Sequence, residues 1–241
     1  MKARIFYSAG RSEALKWANA HLQAKGCVFA EDPSPEITHL LLDVPHKQWA
    51  QIPVLLEQLP KDITVLGGHL QQPAFDNYKC IDLLQDPIYL AENANITAHC
   101  AVKVVLQQLP VTLFRCPVLV IGWGRIGKCL AALLRQMGAQ VTIAARKEAD
   151  RAMALALGYD AVDTAGLSYG LVRYRVIYNT VPVPILTKDA TQYCNSACIK
   201  VELASLPGME GEDIISAGGL PSRCAPESSG ELIARSILRL C

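Results

Sequence analysis

Along the 241 residues, short continuous apolar runs alternate with longer segments whose apolar positions recur every three or four residues. That is the signature of buried strands interleaved with amphipathic helices. In the amino-terminal part, ARIFYS (3–8), ITHLLLDVP (37–45), DITVLGG (62–68) and YKCIDLL (78–84) read as strands, and SEALKWANAHLQAKG (12–26) reads as a helix stopped by glycine. Pro53, Pro60 and Pro73 punctuate the connections. Alternation of this kind demands a mostly parallel sheet, so residues 1–91 are expected to form a small flavodoxin-like α/β domain.

ENANITAHCAVKVVLQQLP (92–110) then reads as a long bridging helix, with Ala98, Val102, Val105, Leu106 and Leu109 on one face and Pro110 ending it. Residues 111–241 hold six further strand-like runs: PVLVIG (117–122), QVTIAAR (140–146), YDAVD (159–163), YRVIYNTVP (174–182), CIKVELAS (198–205) and DIISAGG (213–219). Six parallel strands make a complete Rossmann sheet. The final ESSGELIARSILRLC (227–241) is a helix by the spacing of Leu232, Ile233, Ile237 and Leu238, and is expected to fold back onto the first domain.

Within VLVIGWGRIGKCLAALLRQMGAQVTIAARK (118–147), Gly122, Gly124 and Gly127 directly follow an apolar strand and directly open a helix. G-x-G-x-x-G alone is a weak signal, but in this strand–turn–helix context it predicts a dinucleotide site. Gly122 permits the tight turn, Gly124 admits a pyrophosphate against the backbone, and Gly127 lets helix and strand pack closely. Trp123, Arg125 and Ile126 complete the turn as candidate cofactor contacts. The second strand of such a unit usually ends on an acidic residue that binds the ribose hydroxyls. Here it ends on Arg146 and Lys147. Two cations suit a 2′-phosphate, and each charge-assisted hydrogen bond is worth about 1.5–3 kcal/mol, so NADP is expected over NAD by at least about tenfold. Asn179, Thr180, Val181 and Pro182, at the carboxyl end of the fourth strand, are placed where cofactor and substrate meet in an open parallel sheet. ELASLPG (202–208) ends the fifth strand in the same way and brings Ser205 and Pro207 to that edge.

Composition narrows the function classes. With 51% apolar and 19% charged residues the chain is globular, and 23 basic against 22 acidic side chains leave no field for nucleic acid or an anionic membrane. Residues 1–20 lack a signal-peptide core and no run approaches a membrane span, so a cytoplasmic protein is expected. The nine cysteines are odd in number and scattered through apolar segments, unlike a disulfide framework. Cys194 and Cys198 could share a helical face, but no second pair accompanies them at finger-like spacing, and no metal site is expected.

IGWGRIGKCLAALLRQMGAQVTIAARK, NTVP, ELASLPG and GGLPSRCAPESSGELIA (218–234) together resemble the dipicolinate synthase A-subunit family, well over residues 92–241 and loosely before them. The resemblance implies oxidation of a cyclic dihydrodipicolinate-type precursor to pyridine-2,6-dicarboxylate with NADP, alongside a flavoprotein-like B subunit, in endospore formation. It makes residues 1–91 the substrate-side domain and assigns Arg11, Thr97, Ser205, Pro207 and Arg223 to a small dicarboxylate substrate, with Arg11 and Arg223 as carboxylate clamps. His99, near the start of the bridging helix, is the candidate base, because imidazole titrates near neutrality; Ser205 is a second candidate catalytic residue. This chain departs from the family pattern on the substrate side: Tyr7-Ser8-Ala9-Gly10-Arg11 keeps only the arginine, Thr97-Ala98-His99-Cys100 keeps only the threonine, Met209 replaces a glycine and Glu227 replaces a lysine.

Three other readings stay open. A 2-hydroxyacid dehydrogenase needs a late histidine paired with a carboxylate, yet His21, His39, His46, His69 and His99 all precede the glycine turn. A shikimate-type dehydrogenase needs a Lys–Asp pair in its first domain, and Lys61-Asp62 is a poor candidate at a strand entry. The third is a catalytically silent NADP-binding subunit that regulates or assembles a partner. The sequence leaves a homo-oligomer open.

Overall fold

The computed structural model describes residues 4–46, 50–167 and 170–241. They divide into two compact units, residues 4–93 with 221–241, and residues 94–220. Each unit is a parallel sheet covered by helices.

In the first unit the sheet order is β2-β1-β3-β4-β5, all parallel, with β1 at Ile5–Ser8, β2 at Val28–Phe29, β3 at His39–Leu41, β4 at Thr64–Gly67 and β5 at Lys79–Asp82. This is the flavodoxin-like order. Ala3, included in the first strand by the hydrophobic pattern, lies outside the described residues. β2 escapes the pattern because two residues, with Val28 54% exposed, are too few to show a period. Helix α1 (Glu13–Ala24) starts where Ser12 Oγ accepts from Leu15 N, and it buries Ala14, Leu15, Ala18 and Leu22. Helix α2 (Ile52–Glu57) was not expected. Pro53, which reads as a break between elements, sits in its first turn, where the missing N–H costs nothing, and the helix carries Ile52 and Leu56 into a core with Leu40, Val65 and Phe75.

Helix α3 (Pro87–Leu106) is the long helix expected from the hydrophobic spacing, starting five residues earlier and ending at Leu106 rather than Pro110. Leu106, placed on its buried face by spacing, is 43% exposed.

The second unit holds β6 (Pro117–Ile121), α4 (Arg125–Gln136), β7 (Gln140–Ala144), α5 (Glu148–Ala156), β8 (Asp160–Val162), β9 (Val176–Asn179), α6 (Lys188–Thr191), β10 (Ile199–Glu202) and β11 (Ile214–Ser216). The sheet order is β11-β10-β9-β6-β7-β8, again all parallel. It is the six-stranded Rossmann order, and its direction of winding reverses between β6 and β9. Leu119, Ile121, Ala144, Ile177 and Leu186 form the core on one face.

Two helices at the carboxyl end, α7 (Leu220–Cys224) and α8 (Pro226–Leu240), follow. α8 packs on α1 within the first unit. A Cβ at Gly230 would stand 2.4 Å from Trp17 Cβ and 2.5 Å from Ala14 O, so only glycine lets the two backbones approach this closely. Arg235 reaches Glu92 at 2.6 Å and Arg239 pairs with Asp86. Among the described residues no helix is long and apolar enough to cross a membrane.

Candidate functional site

The turn between β6 and α4 sits at the strand-order reversal of the second sheet. Gly122 adopts φ 104°, a left-handed conformation; a Cβ there would lie 2.3 Å from Thr180 Oγ1, and one at Gly127 would lie 2.2 Å from Gly122 O. Both glycines are therefore required by the protein's own packing. Gly124 differs. It is exposed, its backbone is extended (φ −82°, ψ −167°), and a Cβ on it would meet nothing within 4 Å. Nothing in the fold demands a glycine here, whereas an anion lying on the backbone would.

Gly124 is also the N-cap of α4 and has no side chain to cap it. The first N–H groups of a helix have no intrahelical partner and carry the positive end of its dipole, so this helix opens with its donors available to a phosphate. The corresponding turn of the first unit is closed. There Asp43 places Oδ2 at 2.9 Å from Arg11 N and Oδ1 at 3.0 Å from Ser12 N, while Ser12 Oγ caps α1. A carboxylate of the protein already fills that anion position.

Arg125 is exposed at the first position of α4 and Ile126 is half-buried. Trp123 points elsewhere. Only 9% exposed, its ring meets Tyr159 edge-on at 5.7 Å and lies 5.8 Å from Lys128 Nζ, so it anchors the turn and leaves only its backbone facing the site.

Arg146 and Lys147 follow β7 and its buried neighbour Ala145; both are exposed, and among the described residues neither has an ion-pair partner. Lys147 is the N-cap of α5, with no side-chain cap bond. The loop is held from below by Arg151, which no sequence motif singles out. Its Nη1 donates to Ala145 O and Arg146 O, each at 2.8 Å, and stands 2.7 Å from Asp163 Oδ2. One guanidinium on the first turns of α5 thus fixes the backbone from which the two free cations project.

Across the reversal, β9 ends on Asn179 and β10 on Glu202, which are register partners. Asn179 is fully buried. Its Nδ2 donates to Val181 O at 2.9 Å and to Glu202 Oε1 and Oε2 at 2.8 and 3.0 Å, and its Oδ1 accepts from Val181 N at 3.0 Å. The amide is fully committed inside the protein, so Asn179 shapes the NTVP turn and offers no side-chain donor to a cofactor. Thr180 is similarly engaged, its Oγ1 donating to Ile121 O at 2.9 Å and so bolting the end of β9 to the end of β6. Val181 is half-buried and Pro182 exposed.

Glu202, 6% exposed, explains the loop that follows. Besides Asn179 it accepts from Ala204 N at 3.0 Å, Gly208 N at 2.9 Å and Met209 N at 3.0 Å. A carboxylate so supplied with N–H donors is stable without a cation beside it. Gly208 is the only residue that fits, since a Cβ would come 2.5 Å from Asn179 Nδ2 and 2.6 Å from Val183 O. Ser205 and Pro207 are exposed on the resulting loop.

The proposed acid–base residue is not brought to this edge. His99 is exposed on α3 and lines a groove of about 410 Å³ with Val102, Lys103, Leu106, Gln107, Leu133 and Met137. Leu133 lies in the last turn of α4 and Met137 caps its end, roughly 12 Å and 18 Å along the helix from the glycine turn. Thr97 is buried on the same helix. Tyr178, one residue before Asn179, is wholly buried, and burial pushes its hydroxyl far above the ordinary phenol range, so it does not exchange protons near neutrality. Arg11, at the start of α1, and Arg223, in α7, are both exposed in the first unit.

No family model matches the sequence, and no curated protein matches it. Solved structures do. The A subunit of dipicolinate synthase from Bacillus halodurans superimposes with a TM-score of 0.84 at 18% identity, covering 100% of this chain and 98% of that one. Its counterpart, the dipicolinate synthase A chain from Bacillus subtilis, gives 0.81 at 19% identity, covering 100% and 96%. The apo-structure of D-lactate dehydrogenase from Escherichia coli gives 0.62 at 14% identity, covering 98% and 95%. In fold, then, the chain is similar over its whole length to the dipicolinate synthase A polypeptides, two parallel α/β units of which the second is a dehydrogenase-like Rossmann sheet.

Proposed function

We propose that the chain is an NADP-dependent oxidoreductase of the dipicolinate synthase A type, which oxidises a dihydrodipicolinate-type precursor to dipicolinate together with a flavoprotein-like B subunit during endospore formation in the cytoplasm. The observation that carries the cofactor reading is the open N-terminus of α4, where Gly124 faces free space at the strand-order reversal. The residues present fit a dinucleotide. The N–H groups at the start of α4 take the pyrophosphate, and Arg146 and Lys147, on a loop held by Arg151, take a 2′-phosphate. When bound, the nicotinamide supplies the hydride acceptor. The protein's part is to hold the NTVP and ELASLPG turns in fixed positions through Asn179 and Glu202, and to hold the substrate's carboxylates through Arg11 and Arg223. Fixed positioning of this kind lowers a barrier without any residue changing its charge.

A second reading, a silent NADP-binding subunit, is favoured by the placement of His99, whose groove is lined by none of the glycine-turn residues. One experiment separates the two. NADP reduction is followed with the dihydrodipicolinate-type precursor, for the chain alone and with a B-type partner. Turnover in either case supports the enzyme. NADPH binding without turnover in both supports the silent reading.

A further inference from the structure

Of the five histidines, one stands exposed at the carboxyl end of a strand. His21 lies in the last turn of α1, His39 starts β3, His46 is buried, and His99 lines a groove that holds no residue of the glycine turn. His69, two residues past β4, is exposed. Its φ is 62°, in the left-handed region where a glycine would sit without cost. A residue with a side chain keeps such a conformation when its surroundings over-determine it, and residues of this kind gather at functional sites.

The surroundings of His69 do over-determine it. Asp82, at the end of β5, accepts from His69 N at 3.2 Å through Oδ1 and from Leu70 N at 2.9 Å through Oδ2, while Gln72 Nε2 donates to His69 O at 2.6 Å. Both main-chain groups of His69 are held by side chains, so the exposed imidazole is what the turn presents. Arg11 shares this edge of the first sheet. Asp43 links the two, because its carboxylate receives Arg11 N at 2.9 Å and its main-chain oxygen receives Gly68 N at 3.2 Å. β1 and β4 flank β3, so their ends stand two strand spacings apart, roughly 10 Å. Across that gap a guanidinium from one side and an imidazole from the other can close on one small ring.

We propose that His69 is the catalytic base, taking a ring proton from a substrate whose carboxylate Arg11 holds; this rests on the dipicolinate synthase reading. The dihydrodipicolinate-type ring loses a hydride from one carbon to the oxidised nicotinamide and a proton from the neighbouring ring atom to an imidazole nitrogen of His69. The electron pair of the bond that loses the proton closes the new ring double bond. The ring becomes the aromatic pyridine-2,6-dicarboxylate, and the imidazolium returns its proton to water. Imidazole suits this step because it takes up and releases a proton near neutral pH.

His69→Gly separates this role from a structural one, since glycine accepts the left-handed conformation more readily than histidine. The Tm of the variant should equal or exceed that of the wild type, and its NADPH affinity should be unchanged. Turnover is measured under the condition in which the wild type works, alone or with a B-type partner. It should fall about 100-fold or more with KM nearly unchanged, and added imidazole should restore part of it. Independently of turnover, dipicolinate titrated into the full chain should shift the His69 ring signals in proton NMR, assigned by their loss in His69→Gly. If dipicolinate binds and those signals do not move, or if the variant turns over as fast as the wild type, the role of His69 is overturned while the dipicolinate synthase reading stands. A wild type that neither binds dipicolinate nor turns over overturns both.

Discussion

Asn179 and Glu202, 23 residues apart in sequence, face each other across β9 and β10 with the asparagine amide 2.8 Å from the buried carboxylate. Through this contact the two loops that bound the edge of the sheet become one rigid piece, because the same carboxylate also receives Ala204 N, Gly208 N and Met209 N. Glu202→Gln keeps the size but turns one acceptor into a donor that faces other donors. The cost should be about 2–4 kcal/mol, a fall in Tm of roughly 5–15 °C by calorimetry. Asn179→Asp, which sets two carboxylates together in the interior, should cost at least as much. A Tm within about two degrees of wild type for both variants would mean that the contact does not hold the loops.

Gly124→Val separates a folding role from a binding one. The backbone there is open to any residue and the added side chain meets no protein atom within 4 Å. Stability should therefore stay within about 1 kcal/mol of wild type, while NADPH binding, followed by fluorescence, should fall below detection. The same change at Gly127, where a Cβ would lie 2.2 Å from Gly122 O, should instead unfold the second unit.

Arg146→Asp combined with Lys147→Ala removes two cations and sets a carboxylate where the 2′-phosphate is proposed to lie. NADPH should weaken by about 2–4 kcal/mol, roughly 30- to 1000-fold, while NADH binds equally well or better. Arg151→Leu should give a smaller loss in the same direction, since it frees the loop without removing either cation. Equal losses for both cofactors would point to damage to the fold.

On the substrate side, Arg11→Leu should weaken dipicolinate binding by about 10- to 100-fold and leave NADPH affinity nearly unchanged, because it removes one charge-assisted pair. Its backbone N–H, held by Asp43, is untouched by the change. Dipicolinate titrations of wild type and variant decide the point, and equal affinities would return Arg11 to an ordinary surface role.

Local sequence carried the strand–helix alternation and the glycine turn, because a strand, three glycines and a helix are neighbours in the chain and their pattern needs no knowledge of anything distant. The pattern failed where distance or shortness decided. α2 was lost because Pro53 resembles a break until its place in the first turn is known. Arg151 carries no local sign of its task, since its partners are two carbonyls and Asp163. His99 reads as a site residue from its place near a helix entry, but the groove it lines holds no residue of the glycine turn. Trp123 and Asn179 lie in motifs that flank the site, yet an indole packed edge-on against Tyr159 and an amide satisfied within the fold turn inward. The motifs located the site; which side chains face it depended on packing between segments far apart in sequence.

On the proposed function, the β6–α4 turn and the cations after β7 bind NADP. Calorimetric titration of the wild-type chain with NADPH and with NADH, at low and at physiological salt, tests it most directly. NADPH should bind at least about tenfold more tightly than NADH, at one site per chain, and its affinity should fall more steeply as salt rises because the 2′-phosphate contact is exposed to screening. Equal affinity for the two cofactors, or binding of neither, would contradict it.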